Sequence, residues 1–295
     1  MSAVIIDGNK ISKILYESLS QRISQLYREY HIIPCLRVIL VGNHPASQLY
    51  VRNKQKCAES IGIQSEVILL SSKTSEDQLI DKINEFNQDH SVHGILVQLP
   101  LHKNINLSKI MNMINIEKDV DGFHNENIGK LVKGDKTSLI SCTPKGVLYL
   151  LKSIEHTLSG KHAVILGRSN IVGKPMFHLL LQENCTVTML HSKSNNLSQY
   201  CAQADILVVA VGIPSFVQSH WIKQGAIVID VGINYVINAQ GQRKIIGDVD
   251  FEPIKGKALA ITPVPGGVGP MTIASLMVNV FIAACIQNRI DICMI

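Results

Sequence analysis

The chain has 295 residues, 46% hydrophobic and 17% charged, with a formal charge of +5. These values exclude a disordered or fibrous chain and leave room for two globular domains, each with its own core. Lys and Arg are scattered rather than gathered into runs, so nucleic acid is not an expected partner, and a solvated basic surface or a small anionic ligand accounts for the balance.

Seven cysteines (Cys35, Cys57, Cys142, Cys185, Cys201, Cys285, Cys293) are dispersed without a C-x-x-C pair, which fits a reducing cytosol. Met1 to Gly8 lacks the apolar region of a signal peptide, and no apolar run is expected to reach the roughly 18 residues that span a bilayer. A soluble, cytoplasmic protein with no membrane partner is therefore expected.

From Gly8 to Tyr30 the residues Ile11, Leu15, Leu19, Ile23 and Leu26 recur at helical spacing. Leu36 to Val41 reads as a buried strand, and the turn Gly42-Asn43-His44-Pro45 leads into a helix from Ala46 to Cys57. Tyr50 and Lys54 lie four apart on one face of that helix. A second strand, Glu66 to Leu70, a helix, Ser75 to Asn87, and a third strand, Gly94 to Leu101, follow. The third strand is uniformly apolar, as in a parallel sheet covered on both faces. Gln98 breaks it near its carboxyl end, where open α/β sheets bind ligands.

A short helix from Asn106 to Ile116 precedes Lys118-Asp119-Val120-Asp121-Gly122-Phe123-His124. Two aspartates and a histidine this close suggest a metal, but the set lacks further ligands at defined spacing and Asp-Gly is a common turn pair, so no metal is expected. A carboxylate accepting N–H bonds from a polar heterocycle fits better. Cys142-Thr143-Pro144-Lys145-Gly146 marks a boundary, with Thr143 as cap and Pro144 opening a helix from Val147 to Ile154.

Ala163 to Leu166 is an apolar strand that breaks at Gly167 into Gly167-Arg168-Ser169-Asn170-Ile171-Val172-Gly173-Lys174-Pro175 and then a helix. Such a loop presents backbone N–H groups and a helix dipole to an anion, as for a dinucleotide pyrophosphate. Its glycines fit neither G-x-G-x-x-G nor the P-loop pattern, so an ordinary tight turn stays open beside dinucleotide binding. The next strand, Thr186 to Leu190, ends in His191-Ser192-Lys193, with no acidic residue for ribose hydroxyls. Ser192, Lys193 and Arg168 are donors suited to a 2′-phosphate, which favours NADP over NAD. Strands over Asp205–Gly212 and Ala226–Ile233 extend the alternation of a doubly wound sheet. Ile261-Thr262-Pro263-Val264-Pro265-Gly266-Gly267-Val268-Gly269-Pro270 then leads into a helix from Met271 to Gln287, expected to dock on the first domain.

Taken together, these blocks resemble the bifunctional methylenetetrahydrofolate dehydrogenase/methenyltetrahydrofolate cyclohydrolases over nearly the whole chain. Tyr50-x-x-x-Lys54, Gly94 to Pro100, Lys118 to His124, Cys142-Thr143-Pro144, Gly167 to Pro175, Asp230-Val231-Gly232-Ile233-Asn234 and Pro263 to Thr272 occur in the family's order. The resemblance implies two α/β domains with folate in the cleft between them: residues 1–143, completed by a C-terminal helix 271–295, bind folate, and residues 144–270 form a Rossmann-like NADP-binding domain. It implies a homodimer in one-carbon metabolism that oxidises 5,10-methylenetetrahydrofolate and hydrolyses the methenyl product to 10-formyltetrahydrofolate.

On the family pattern Lys54 handles protons, Gln98 orients it, Tyr50 stacks on folate and Asp121 accepts from the pterin. Val97, Leu99, Pro265, Gly266, Gly267, Val268 and Gly269 complete the folate contacts, and Gly167, Arg168, Ser169, Ser192 and Ile233 match the NADP contacts. An ordinary lysine titrates near about 10.4, so a lysine base needs burial or a cationic neighbour. His102 and Asn125 stand where the family often carries proline. Three readings stay open beside this one: a dehydrogenase-only member, an NADP-dependent dehydrogenase of another small substrate such as a shikimate-like acid, and a silent folate- or nucleotide-binding module.

Overall fold

The computed structural model describes residues 2–237 and 241–291. In chain order the elements are β1 (Val4–Ile5), α1 (Gly8–Tyr30), β2 (Cys35–Val41), α2 (Pro45–Ser60), β3 (Gln64–Leu70), α3 (Glu76–Gln88), β4 (Gly94–Val97), α4 (Leu107–Met113), α5 (Asn125–Lys133) and α6 (Cys142–Lys152). Then come β5 (His162–Leu166), α7 (Gly173–Gln182), β6 (Thr186–Leu190), α8 (Leu197–Cys201), β7 (Ile206–Val209), β8 (Ile227–Asp230), β9 (Asn234–Ile237), β10 (Arg243–Ile246), α9 (Phe251–Lys255), β11 (Ala260–Ile261) and α10 (Val268–Gln287).

The chain divides into two compact units, one of Met1–Lys13 with Thr143–Thr272, the other of Ile14–Cys142 with Ile273–Ile295. The expected first domain began at residue 1. Instead β1 pairs in parallel with β11, Val4 opposite Ala260 and Ile5 opposite Ile261, and Ala3 enters the core beside Val228 and Ile261. A two-residue strand is too short for any periodicity to reveal.

In the unit holding β2, β3 and β4, the sheet runs in the order β3-β2-β4 and is parallel throughout. Alternation of side chains splits it between two cores. Leu36, Val38, Leu40 and Leu96 pack with Met277, Val280 and Phe281 of α10, while Ile39, Ile95 and Val97 pack with Leu79, Ile83 and Phe86 of α3. Both faces are covered, which is why β4 is an unbroken apolar run. The expectation that no apolar segment reaches spanning length is corrected here: α10, at 20 residues, is long and apolar enough by length and composition. Its apolarity serves packing, because Leu276, Met277, Val280, Phe281 and Ala284 are all at most 2% exposed.

Strand β4 stops at Val97, short of the expected Leu101. Gln98 still donates its N–H to Ile39 O at 2.8 Å, after which Pro100 has no N–H to continue the ladder. Helix α6 begins at Cys142, five residues before expected, so Thr143 and Pro144 lie in its first turn. Helix α3 opens with a capping box at Ser75: the Ser75 side chain accepts from Gln78 N, and Gln78 reaches back to the Ser75 N–H. None of the six described cysteines is in a disulfide, while Cys293 and the end of the expected C-terminal helix lie outside the described residues.

In the other unit the strands run β6-β5-β7-β8-β11-β1, all parallel. From β5 the chain goes one way to β6 and the other way to β7 and beyond. The order therefore reverses between β5 and β7, and such a switch point leaves a crevice at the strands' carboxyl ends.

Candidate active site

Helix α2 carries Tyr50 and Lys54 one turn apart, Tyr50 half-buried and Lys54 only 8% exposed. The lysine Nζ donates to Gln98 Oε1 at 3.0 Å. Gln98 is itself fixed twice, its backbone by Ile39 O and its Nε2 by donation to Leu99 O at 2.8 Å. The amide is thereby turned with its oxygen toward the lysine, so a helix residue and a strand-end residue far apart in sequence form one polar pair.

Asp121 belongs to the same neighbourhood. Burial pushes its carboxyl up, while the Lys54 charge and a hydrogen bond from the Cys142 thiol pull it down. Val120 O, next to it, accepts from Asn279 Nδ2 at 2.8 Å, and the same amide nitrogen donates to Ile140 O at 2.8 Å. Asn279 is fully buried on α10 and so ties the Asp121 segment to the 140–142 segment. The sequence reading missed it, because a lone Asn in an apolar helix carries no motif.

The rest of the 118–124 block is architectural. Buried Lys118 donates to the carbonyls of Phe86, Asn87 and Asp89 at 2.9, 3.0 and 2.7 Å, closing the C-terminal end of α3. Asp119 accepts from Phe123 N, His124 N and Asn127 Nδ2 at 3.1, 2.8 and 2.9 Å. His124 caps α5 by accepting from Glu126 N at 3.1 Å. Asn125, at one of the departures from the family pattern, uses the N–H that a proline would lack, donating to Asn112 Oδ1 at 3.1 Å.

Gly122 has φ +71°, and a Cβ there would lie 2.5 Å from Ser141 N and 2.7 Å from Leu139 O. Gly122→Ala combines left-handed backbone with overlap against main chain, so a loss of about 2 kcal/mol or more is expected. Denaturant unfolding followed by tryptophan-independent circular dichroism measures it, and an unchanged midpoint would show that the turn adapts.

In the other unit, Gly167 ends β5 with φ +127°, and a Cβ on it would overlap the carbonyl oxygen of Ala210 after β7. A Cβ on Gly173 would likewise overlap the carbonyl oxygen of Gly167. The loop is thus folded tightly at the switch point. Ser169 Oγ accepts from Val172 N at 3.1 Å and Gly173 N at 3.4 Å, shaping the start of α7. A pocket of about 260 Å³ opens beside it, lined by Gly167, Arg168, His191, Ser192, Val211 and neighbouring apolar groups. Arg168 and Ser192 are exposed donors at this pocket with no acidic residue following β6, so a phosphate-bearing dinucleotide fits the cradle.

Of the expected residues, Lys54, Gln98 and Asp121 come together, and Gly167, Arg168 and Ser192 come together. Ser169 shapes the loop, and Ile233, 45% exposed after β8, is not among the pocket's lining. Val97 has its side chain in the core at 2% exposure, and Leu99 is half-buried against the same cluster. Pro265, Gly266 and Gly267 form the loop before α10, and Val268 and Gly269 are its first residues. Gly8, at the start of α1, lies so close to this loop that a Cβ would overlap Gly267 O.

Family models match twice: residues 6–121 fit the tetrahydrofolate dehydrogenase/cyclohydrolase catalytic domain and residues 141–288 its NAD(P)-binding domain. The chain is 68% identical, over 98% of its length and 97% of the relative's, to a bifunctional protein FolD of Wolbachia sp. subsp. Drosophila simulans. Among solved structures, the bifunctional FolD enzyme of Campylobacter jejuni is 46% identical with a TM-score of 0.92, covering 98% of this chain and 100% of that one. The Trypanosoma brucei methylenetetrahydrofolate dehydrogenase-cyclohydrolase, solved with NADP and an inhibitor, is 34% identical with a TM-score of 0.93, covering 98% and 99%.

Proposed function

The chain belongs to the tetrahydrofolate dehydrogenase/cyclohydrolase family, and from that premise we propose which of its residues carry the family's two reactions. The protein is an NADP-dependent enzyme of one-carbon metabolism that oxidises 5,10-methylenetetrahydrofolate to the methenyl compound and hydrolyses that to 10-formyltetrahydrofolate. The folate-binding work is assigned to residues 14–142 with the C-terminal helix, and cofactor binding to residues 143–272 with the first 13 residues.

The observation that carries the assignment is the buried Lys54 amine held at 3.0 Å by Gln98 Oε1. Loss of hydride from the methylene carbon leaves a cation shared by the two flanking nitrogens, so their lone pairs drive that step and the protein's task is positioning. Bound NADP supplies the hydride acceptor, C4 of its nicotinamide. Hydrolysis is different, since water must lose a proton and a ring nitrogen must gain one. Lys54 is the group placed to handle that proton, and Gln98 keeps the amine aimed. Tyr50, one turn before Lys54, supplies a ring for stacking on the folate.

Asp121 accepts from the pterin's amino and ring N–H groups. Val97 and Leu99 flank Gln98 and contribute main chain, and Pro265 to Gly269 are kept as folate contacts on the family pattern alone. For the cofactor, Arg168 and Ser192 take the 2′-phosphate, Gly167 and Ser169 shape the pyrophosphate loop, and Ile233 offers an exposed apolar surface. A cytoplasmic homodimer follows from the same resemblance. Sedimentation at twice the chain's mass would support the dimer, and a monomer at working concentration would remove it.

Asp121→Asn tests the folate assignment. An amide replaces one acceptor oxygen by a donor, so the folate KM is expected to rise about tenfold in both reactions, with the NADP KM unchanged. An unchanged folate KM would move the pterin elsewhere.

A further inference from the structure

Behind the cofactor loops lies a pair of buried carboxyl groups that neither reaction above employs. Asp248 is 0% exposed. Its Oδ2 accepts from Val211 N at 2.7 Å and Gly212 N at 2.8 Å, and its Oδ1 accepts from Asn234 Nδ2 at 2.8 Å. Asp230, 3% exposed at the end of β8, accepts from Gly232 N and Asp248 N on Oδ1 and from Val249 N on Oδ2, each at 2.9 Å. Six N–H donors from the segments after β7, β8 and β10 converge on two carboxyl groups.

The fit leaves no spare room. A Cβ on Gly232 would overlap the Asp248 carboxyl, and one on Gly247 would overlap the Asp230 carboxyl. Burial pushes Asp230 up to about 7, with its three N–H donors pulling down and Asp248 adding to the rise. The six N–H donors offset the desolvation of the two carboxyl groups, and in return the carboxyls fix the segments that carry those donors.

What the pair holds in place is specific. Val211 lines the pocket beside Arg168 and Ser192, and Asn234 follows Ile233 directly. Both segments leave the carboxyl ends of β7 and β8, on the side of β5 away from β6. A dinucleotide whose 2′-phosphate sits at Arg168 and Ser192, by the end of β6, extends across the switch point toward those segments. We propose that Asp248, seated by Asp230, is the positioning residue for the nicotinamide half of NADP, fixing the 211–212 and 233–234 segments that flank it. It touches no reacting atom and acts through the main chain it binds. This rests on the assignment of Arg168 and Ser192 to the 2′-phosphate.

The test uses the full-length Asp248→Asn protein, in which one acceptor oxygen becomes an NH₂ facing N–H donors. Three readouts are taken: NADP KM and kcat of the dehydrogenase, calorimetric binding of adenosine 2′,5′-bisphosphate, which lacks the nicotinamide, and methenyl hydrolysis. The NADP KM is expected to rise about tenfold and kcat to fall, while bisphosphate affinity and hydrolysis stay within about twofold. Unchanged NADP kinetics, or bisphosphate affinity falling in parallel, overturns the inference alone. A wild-type protein that does not bind the bisphosphate overturns the 2′-phosphate assignment and this inference with it. Should Asp248→Asn not fold, Asn234→Ala removes one donor and is expected to raise the NADP KM two- to threefold by the same logic; no change there is decisive against the proposal.

Discussion

Lys54→Met is expected to abolish methenyl hydrolysis while hydride transfer remains measurable. Methionine nearly matches the lysine stem in length and keeps its apolar contacts, so α2 and its packing are preserved. What disappears is the amine that donates to Gln98 Oε1, the group assigned to pass a proton to or from water. General acid–base catalysis contributes typically about 10²–10⁴-fold, so hydrolysis should fall by about 10³, to its spontaneous rate. Oxidation draws on the lone pairs of the folate nitrogens instead and should stay within about tenfold of wild type. In a spectral time course, reduced nicotinamide should form while the methenyl compound accumulates. Parallel loss of both activities would mean that Lys54 serves binding or folding, and loss of neither would remove it from the chemistry.

How much of this was readable in the amino-acid order depends on the range of the interaction. Helix α1 is visible because Ile11, Leu15, Leu19, Ile23 and Leu26 repeat within one element, and β5 is visible because its apolar run, Ala163 to Leu166, breaks at Gly167. The Lys54–Gln98 bond joins residues 44 apart, and no periodicity predicts it; the family's block order pointed to both residues, and only the fold shows them paired. The short helix α5 went unassigned although Ile128, Leu131 and Val132 recur at helical spacing, and its cap is a histidine, an unusual capping residue. Asp230 entered only as part of the family block Asp230 to Asn234 and Asp248 carried no signal, because the N–H groups that seat both come from separate segments after β7, β8 and β10. Arg168 and Ser192 were legible for the opposite reason, since each stands two residues after a strand of a doubly wound sheet, where position in the motif predicts position at the crevice.

That legibility makes cofactor choice a direct test. Arg168→Ala is expected to weaken NADP about a hundredfold and leave NAD within about twofold. Arg168 and Ser192 line one pocket at the ends of β5 and β6, and the residues after β6, His191-Ser192-Lys193, include no carboxylate to bind an unphosphorylated ribose. A guanidinium on a phosphate makes charge-assisted, often bidentate hydrogen bonds, worth about 1.5–3 kcal/mol when one partner is removed, which corresponds to about 10–150-fold in affinity. NAD offers no group at that position, so its binding should not register the change. The tight loop at Gly167 and Gly173, assigned above to the pyrophosphate, is untouched by the substitution, and a pyrophosphate is common to both cofactors. The ratio of NADP to NAD KM therefore isolates the 2′-phosphate contact from the rest of the site: a collapse of that ratio places the phosphate on Arg168, whereas an equal rise in both KM values would show that Arg168 supports the loop instead.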